Sequence, residues 1–262
     1  MKTLHSYIFL LVLLPFLSSC EEVIELNLQE NAGLLVVEGI VSSQEGESYV
    51  SLTQTVGFYD PNVFPGLEGA TVQISDAEGQ SWNLIDDTPG IYAHPDLVGQ
   101  PGQTYTLTID VEGEIYTSIS TMPPLVMLDS IEAEPFFGGG TDDLVLLSAY
   151  YLAPVEFENF YLFRVKENGP FDDGIILNDD VLNNGLEAST SLFGAFVFRG
   201  DTVEVIMTGI DEPVYRYFTT LSNVGGDGPA LGTPADPESN ISNGALGYFS
   251  AQTRSTIELV IP

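Results

Sequence analysis

Carboxylates dominate the chemistry this chain offers. Asp86-Asp87, Asp142-Asp143, Asp172-Asp173 and Asp179-Asp180 are adjacent pairs. Glycoside hydrolysis needs two carboxyl groups aimed at one bond. Neighbours on a strand point to opposite faces, so a doublet does not aim both at one bond, and these read as solvated turn residues. The segment DDGIILNDDVLNNG is denser. Asp172, Asp173, Asn178, Asp179 and Asp180 place hard oxygens in a short span, which suits a structural calcium ion, although the spacing is not that of an EF-hand loop. Nucleophilic chemistry is poorly supplied. Beyond the first residues the chain has one histidine, His94, and no G-x-S-x-G elbow. Metal sites built on His and Cys need several such ligands, and the sequence has 2 His and 1 Cys. The expectation is a protein without catalytic residues, and without a cofactor other than calcium.

Binding chemistry is better represented. The segment GFYDPNVFPGLEG carries Phe58, Tyr59 and Phe64 among prolines and glycines, between two stretches of strand character. Rings in such a loop offer an apolar patch to a partner, or stacking faces to a sugar. The simpler expectation is that they fold back and cover the open end of a β-sandwich. Trp82 lies within a strand and is expected to pack on the core.

The single cysteine sits at the end of a short leader. Ile8 to Leu17 is apolar except for Pro15, then Ser18 and Ser19 precede Cys20. A membrane span needs about 20 apolar residues, so the run is too short for one; it has the length of a secretory signal's apolar region. Leu17-Ser18-Ser19-Cys20 resembles the bacterial lipobox. That resemblance implies cleavage after residue 19, acylation of Cys20 and a bilayer contact made by lipid. Two or three acyl chains anchor stably where one does not.

Cleavage there removes Lys2 and leaves five cations against 38 carboxylates. Such a field repels phosphate backbones and excludes nucleic acid as a partner. It also disfavours adsorption to an anionic membrane surface. Disorder is not implied, because 44% of the residues are hydrophobic, with 15 Phe and 12 Tyr to build a core. With no second cysteine, no disulfide contributes.

Stepping along the chain, residues 20–33 form an anchor and tether. Residues 34–122 read as a β-sandwich domain. LLVVEGIVSS and SYVSLTQTV are rich in β-branched residues, and Ala77-Glu78-Gly79 turns between two strands. Tyr105, Leu107, Ile109 and Val111 alternate with polar residues before a Glu112-Gly113 turn. Met122-Pro123-Pro124 marks the boundary. Residues 125–262 read as a second β-rich domain with one short amphipathic helix near 211–223. Asp211 caps this helix, Pro213 fits its first turn, and Val214, Phe218 and Leu221 form its apolar face. Gly225-Gly226 ends it. The fold expected is mainly β, with two sandwich-like domains. The Gly/Pro/Asn-rich stretch that follows the helix has the length of a functional loop.

The lipobox, LLVVEGIVSS, LEGATVQISDAEG, PGIYAHPDLVGQPGQTYTLTIDVEGEIYTSISTMPP and SNISNGALGYFSAQT together resemble a Bacteroidota outer-membrane lipoprotein family, known only as domain of unknown function 4249. The first half is similar to carboxypeptidase-regulatory-like or transthyretin-like sandwiches. The resemblance implies a non-enzymatic accessory or ligand-binding partner of a TonB-dependent outer-membrane receptor, involved in nutrient uptake; a structural or adhesion lipoprotein with sandwich spacers is the alternative. Glu21 and Glu22 resemble the signal that sends such lipoproteins to the cell surface, which is favoured here over the periplasmic face.

Overall fold

The last strand of this protein holds its two halves together. The computed structural model describes residues 33–57, 60–61, 63–136, 143–155, 158–169, 174–183, 185–195, 197–225 and 236–262. Among them are fifteen strands and one helix. The first half holds β1 (Leu35–Ser42), β2 (Tyr49–Gln54), β3 (Thr71–Asp76), β4 (Ser81–Thr88), β5 (Ile91–Ala93), β6 (Thr104–Val111) and β7 (Glu114–Thr121). The second holds β8 (Leu128–Pro135), β9 (Leu144–Leu152), β10 (Phe160–Glu167), β11 (Ile176–Asp179), β12 (Glu187–Ser191), β13 (Val197–Phe198), β14 (Thr202–Ile210), α1 (Glu212–Gly225) and β15 (Leu246–Val260).

Period-two patterning builds these strands. In β6, Tyr105, Leu107 and Ile109 are buried while the threonines between them are not. The β6–β7 hairpin closes through Glu112 (φ 53°) and Gly113 (φ 92°). Both residues of the turn are therefore left-handed, the conformation that matches the strands' twist. The Gly113 amide donates to Asp110 Oδ1 at 2.8 Å.

An eleven-stranded sheet runs β11-β10-β14-β15-β1-β2-β5-β4-β3-β6-β7. A smaller sheet combines β12, β9, β13 and β8. The residues of β15 change partner midway. Leu246 to Gln252 pair in parallel with β1, and Thr253 to Val260 pair antiparallel with β14. This close passage needs Gly247, whose φ is +98° and whose Cβ, if present, would meet the Val37 carbonyl oxygen at 1.9 Å.

Two cores follow. The first packs Val37, Val41, Leu52, Ile74, Trp82 and Leu107, together with Ile241, Ala245, Phe249 and Ala251 from the far end of the chain. Trp82 is an inward residue, its ring centroid 6.5 Å from that of Tyr105. The second packs Leu147, Tyr151, Tyr161, Phe163, Val203 and Val205, with Ile257 and Leu259 of β15 against them. Met122-Pro123-Pro124 lies between the first half's strands and the second's, yet residues 241–251 return to the first core.

A third, smaller cluster forms where α1 covers one face of the large sheet: Leu162, Ile210, Val214 and Phe218, ringed by Tyr215, Tyr217 and Tyr248. The Asp211 carboxylate caps α1, accepting from the Val214 amide at 3.3 Å. The expected apolar face is corrected at one position. Leu221 is 38% exposed and outside the cluster, because only the first two turns of α1 lie on the sheet.

Candidate functional site: the outer sheet face at the junction

Because inward residues of β10, β14 and β15 alternate with outward ones, these strands send a second set of side chains to the face that carries α1. On β10 this set includes Phe160, Leu162, Arg164 and Lys166; on β14, Glu204 and Ile206; on β15, Tyr248, Arg254 and Glu258. Three of the five cations among the described residues, Arg164, Lys166 and Arg254, therefore share one face of a strongly acidic chain.

The charges are arranged in a chain. Lys166 and Glu204 are opposite in register, and the ammonium donates to Glu204 Oε2 at 2.7 Å. The other oxygen of Glu204 accepts from Arg254 at 3.3 Å. Arg254 reaches in the opposite direction to Glu47, in the β1–β2 turn, at 2.5 Å. One guanidinium on the shared strand thus links the two halves. Each pair is partly solvated, so its net value is small, but a continuous chain of pairs holds its members in one geometry.

Beside this network lies a cleft of about 470 Å³ lined by Lys166, Asn168, Gly169, Thr202, Glu204 and Glu258. Its size is that of small-molecule sites in general. One end is shaped by Asn168, which adopts φ 48°. Its amide donates to the Thr202 carbonyl at 2.8 Å, its side-chain oxygen accepts from the Thr202 amide at 3.1 Å, and its Nδ2 donates to Asp201 at 2.9 Å. The Asn168 hydrogen bond, with that from the Phe198 amide, holds the Asp201 carboxyl below its ordinary range. Glu204 and Glu258 face each other across β14 and β15. The lining combines an ammonium, a side-chain amide, a hydroxyl and two carboxylates.

Toward α1 the same face becomes aromatic. Tyr49 and Tyr248 both donate to Glu38 Oε1, at 2.7 and 3.3 Å. The Tyr248 ring is 5.1 Å from Tyr217 and 4.9 Å from Phe218. Burial, then the Glu38 carboxylate, raises both phenols above the ordinary tyrosine value, Tyr248 well above it. These hydroxyls remain protonated donors.

The residues singled out in the sequence fall elsewhere. Cys20, Phe58, Tyr59, Asp172 and Asp173 lie outside the described residues. Phe64 does not fold back over the sandwich end; it is 54% exposed in the loop after β2. Asp179 and Asp180 separate, as neighbours on a strand end do. Asp179 accepts from the Val181 amide at 3.3 Å and Tyr215 at 3.4 Å. Asp180 is buried, accepting from the Asn159 amide at 2.9 Å, Asn159 Nδ2 at 3.0 Å and Tyr161 at 2.8 Å. The two carboxylates thus serve separate protein donors, and no cluster of three His, Cys, Asp or Glu is found among the described residues. His94 accepts from the Asp96 amide at 3.1 Å. The junction network was missed because its members are far apart in sequence; the one local signal is Arg164 and Lys166, two residues apart on one strand.

Fold and site together define a mainly β protein whose two cores share one long strand and whose second half carries a polar cleft near the end of that strand. Residues 21–258 match the family described as Domain of unknown function (DUF4249), and the chain belongs to that family. No curated protein matches the chain. Among solved structures, the FN1–FN3 domains of chicken CNTN1 are similar at 15% identity, over 86% of this chain and 66% of that one, with a TM-score of 0.21. No helix among the described residues is long and apolar enough to cross a membrane.

Proposed function

We propose that this protein is an outer-membrane lipoprotein, anchored through acylated Cys20 and displayed at the cell surface, that serves as a non-enzymatic partner of a TonB-dependent receptor. The observation that carries the reading is Leu17-Ser18-Ser19-Cys20 at the end of an apolar run, with the family match starting directly behind it at residue 21. The cleft on the second half supplies a place for a polar ligand, and the apolar and tyrosine-rich surfaces supply contacts for a partner. A structural spacer is the second reading. The sheet that continues through both halves favours it, since such a sheet resists bending between them.

Replacing Cys20 with Ser should move the protein from the membrane fraction to the soluble one and remove acyl mass from its N-terminal peptide. Unchanged fractionation would defeat the anchor. Purification of the acylated protein from solubilised outer membranes should bring a TonB-dependent transporter with it; repeated absence of one would leave the spacer reading. Protease treatment of intact cells tests the display, with full protection placing the protein in the periplasm.

A further inference from the structure

Gly33 and Leu34, which lead into β1, are bonded to the start of the loop after β2. The Gly33 amide donates to the Thr55 carbonyl at 2.9 Å, the Thr55 amide donates to Leu34 at 3.0 Å, and the Leu34 amide donates to Thr55 Oγ1 at 3.0 Å. Residue 55 opens the loop that carries Val63 and Phe64. The loop's other root is also fixed: Leu67 donates to Leu52 at 2.8 Å, and Gly66 lies so close to Pro89 that a Cβ would meet its carbonyl oxygen at 2.2 Å.

Between these roots, Val63 and Phe64 show apolar surface to solvent. Val63 is 69% exposed and Phe64 54%. Pro61 and Pro65, on either side, have no amide hydrogens to leave unpaired if the tip enters a water-poor layer. The Val63 amide is internally satisfied, donating to Pro61 at 2.7 Å, and Asp60 turns back to accept from the Gly57 amide at 3.0 Å. No Lys or Arg lies between residues 55 and 70, while Asp60 and Glu68 do. This is an apolar contact without an electrostatic one, suited to a zwitterionic lipid surface rather than an anionic one.

The chain length outside the structure selects the occupant. Even fully extended, the residues from Cys20 to Gly33 reach at most about 45 Å, so an acylated Cys20 keeps this end of the molecule on the bilayer side. We infer that the Val63–Phe64 tip is a second membrane contact, inserting beside the lipid anchor into the interfacial layer and orienting the protein on the surface. This rests on the anchored reading above, and it adds a site that anchoring does not require.

The test uses the full mature chain with its Cys20 thiol coupled to a maleimide phospholipid in phosphatidylcholine vesicles, so that tethering does not depend on acylation. The chain has one tryptophan, Trp82, which is 7% exposed in the first core. In the Phe64→Trp variant, a second tryptophan reports the loop. Its emission should shift to the blue on coupling and be quenched by lipids brominated in the acyl chain, while Trp82 in the unsubstituted chain is not. Adding Val63→Asp to that variant should reduce the quenching. Emission unaffected by the bilayer overturns the inference. So does a blue shift that appears without vesicles and grows with protein concentration, which assigns the tip to a second copy, or one that appears only in vesicles containing outer-membrane proteins. Acylation of Cys20 in cells is read separately from the N-terminal peptide mass, so the anchor and the loop contact fail independently.

Discussion

Ser120, near the end of β7, donates its hydroxyl to Asp211 at 2.6 Å, joining the first half to the cap of α1 in the second. The same hydroxyl oxygen accepts from the Ala251 amide of β15 at 2.8 Å, and Asp211 also accepts from the Thr121 amide at 3.1 Å. Removing the hydroxyl by Ser120→Ala leaves a buried amide without its acceptor. That change should cost about 1–3 kcal/mol, measured by denaturant unfolding.

Asp211 makes this joint pH-sensitive. Burial is the largest influence on its carboxyl and raises it above the ordinary value, against the opposing bonds from Ser120, Thr121 and Val214. A group raised on folding contributes stability that is complete below its unfolded value and is lost as pH rises through the folded one. The stability of the natural chain relative to Asp211→Asn should therefore fall as pH increases from the ordinary carboxylate range toward neutrality. Paired urea titrations across that range measure the difference and cancel the general repulsion among carboxylates. A difference that grows with pH would contradict the assignment.

Gly247 allows β15 to pass β1. Gly247→Ala drives a methyl group into the Val37 carbonyl and forces a left-handed φ on an L-residue. The expected loss is above about 4 kcal/mol, which thermal unfolding would show as a large fall in midpoint. Gly113→Ala, where a Cβ meets nothing within 4 Å, should cost less.

The two aspartates that end β11 and follow it separate by role. Asp180→Ala removes the buried acceptor of the Asn159 amide, Asn159 Nδ2 and the Tyr161 hydroxyl, and should destabilise by about 3 kcal/mol or more. Asp179→Ala removes two long, part-exposed hydrogen bonds and should stay within about 1 kcal/mol. Equal losses in denaturant unfolding would contradict this division.

Because β15 completes the first core, residues 34–124 alone should not fold cooperatively. Their circular dichroism should lack a sharp thermal transition, with the unpaired edge of β1 promoting association. The same segment joined by a flexible linker to residues 239–254 should recover one. Cooperative folding of the shorter piece would show that β15 is dispensable to it.

Local patterns made much of this fold legible. The β6–β7 hairpin follows from alternation and Glu112-Gly113, and α1 follows from Asp211, Pro213 and its apolar spacing, because each depends on residues close in sequence. Leu221 fits the same spacing yet lies exposed, since spacing says nothing of where the sheet ends. The 172–180 segment shows the same limit, its carboxylate density evident and the burial of Asp180 not.

The sequence by itself determined the clearly alternating strands such as β1, β2, β6 and β7, where the helix begins and the strongly acidic balance of the chain, because these are set by residue type and short-range periodicity. Tertiary structure alone decided that β15 lies between β1 and β14, and that Arg254 bridges Glu47 and Glu204. It also set the start of the loop that carries Val63 and Phe64 against Gly33 and Leu34. The physical reason is that these relationships come from pairing between strands far apart in the chain, where either edge of a strand offers the same backbone donors and acceptors. The choice among partners is made by which side chains can be buried together.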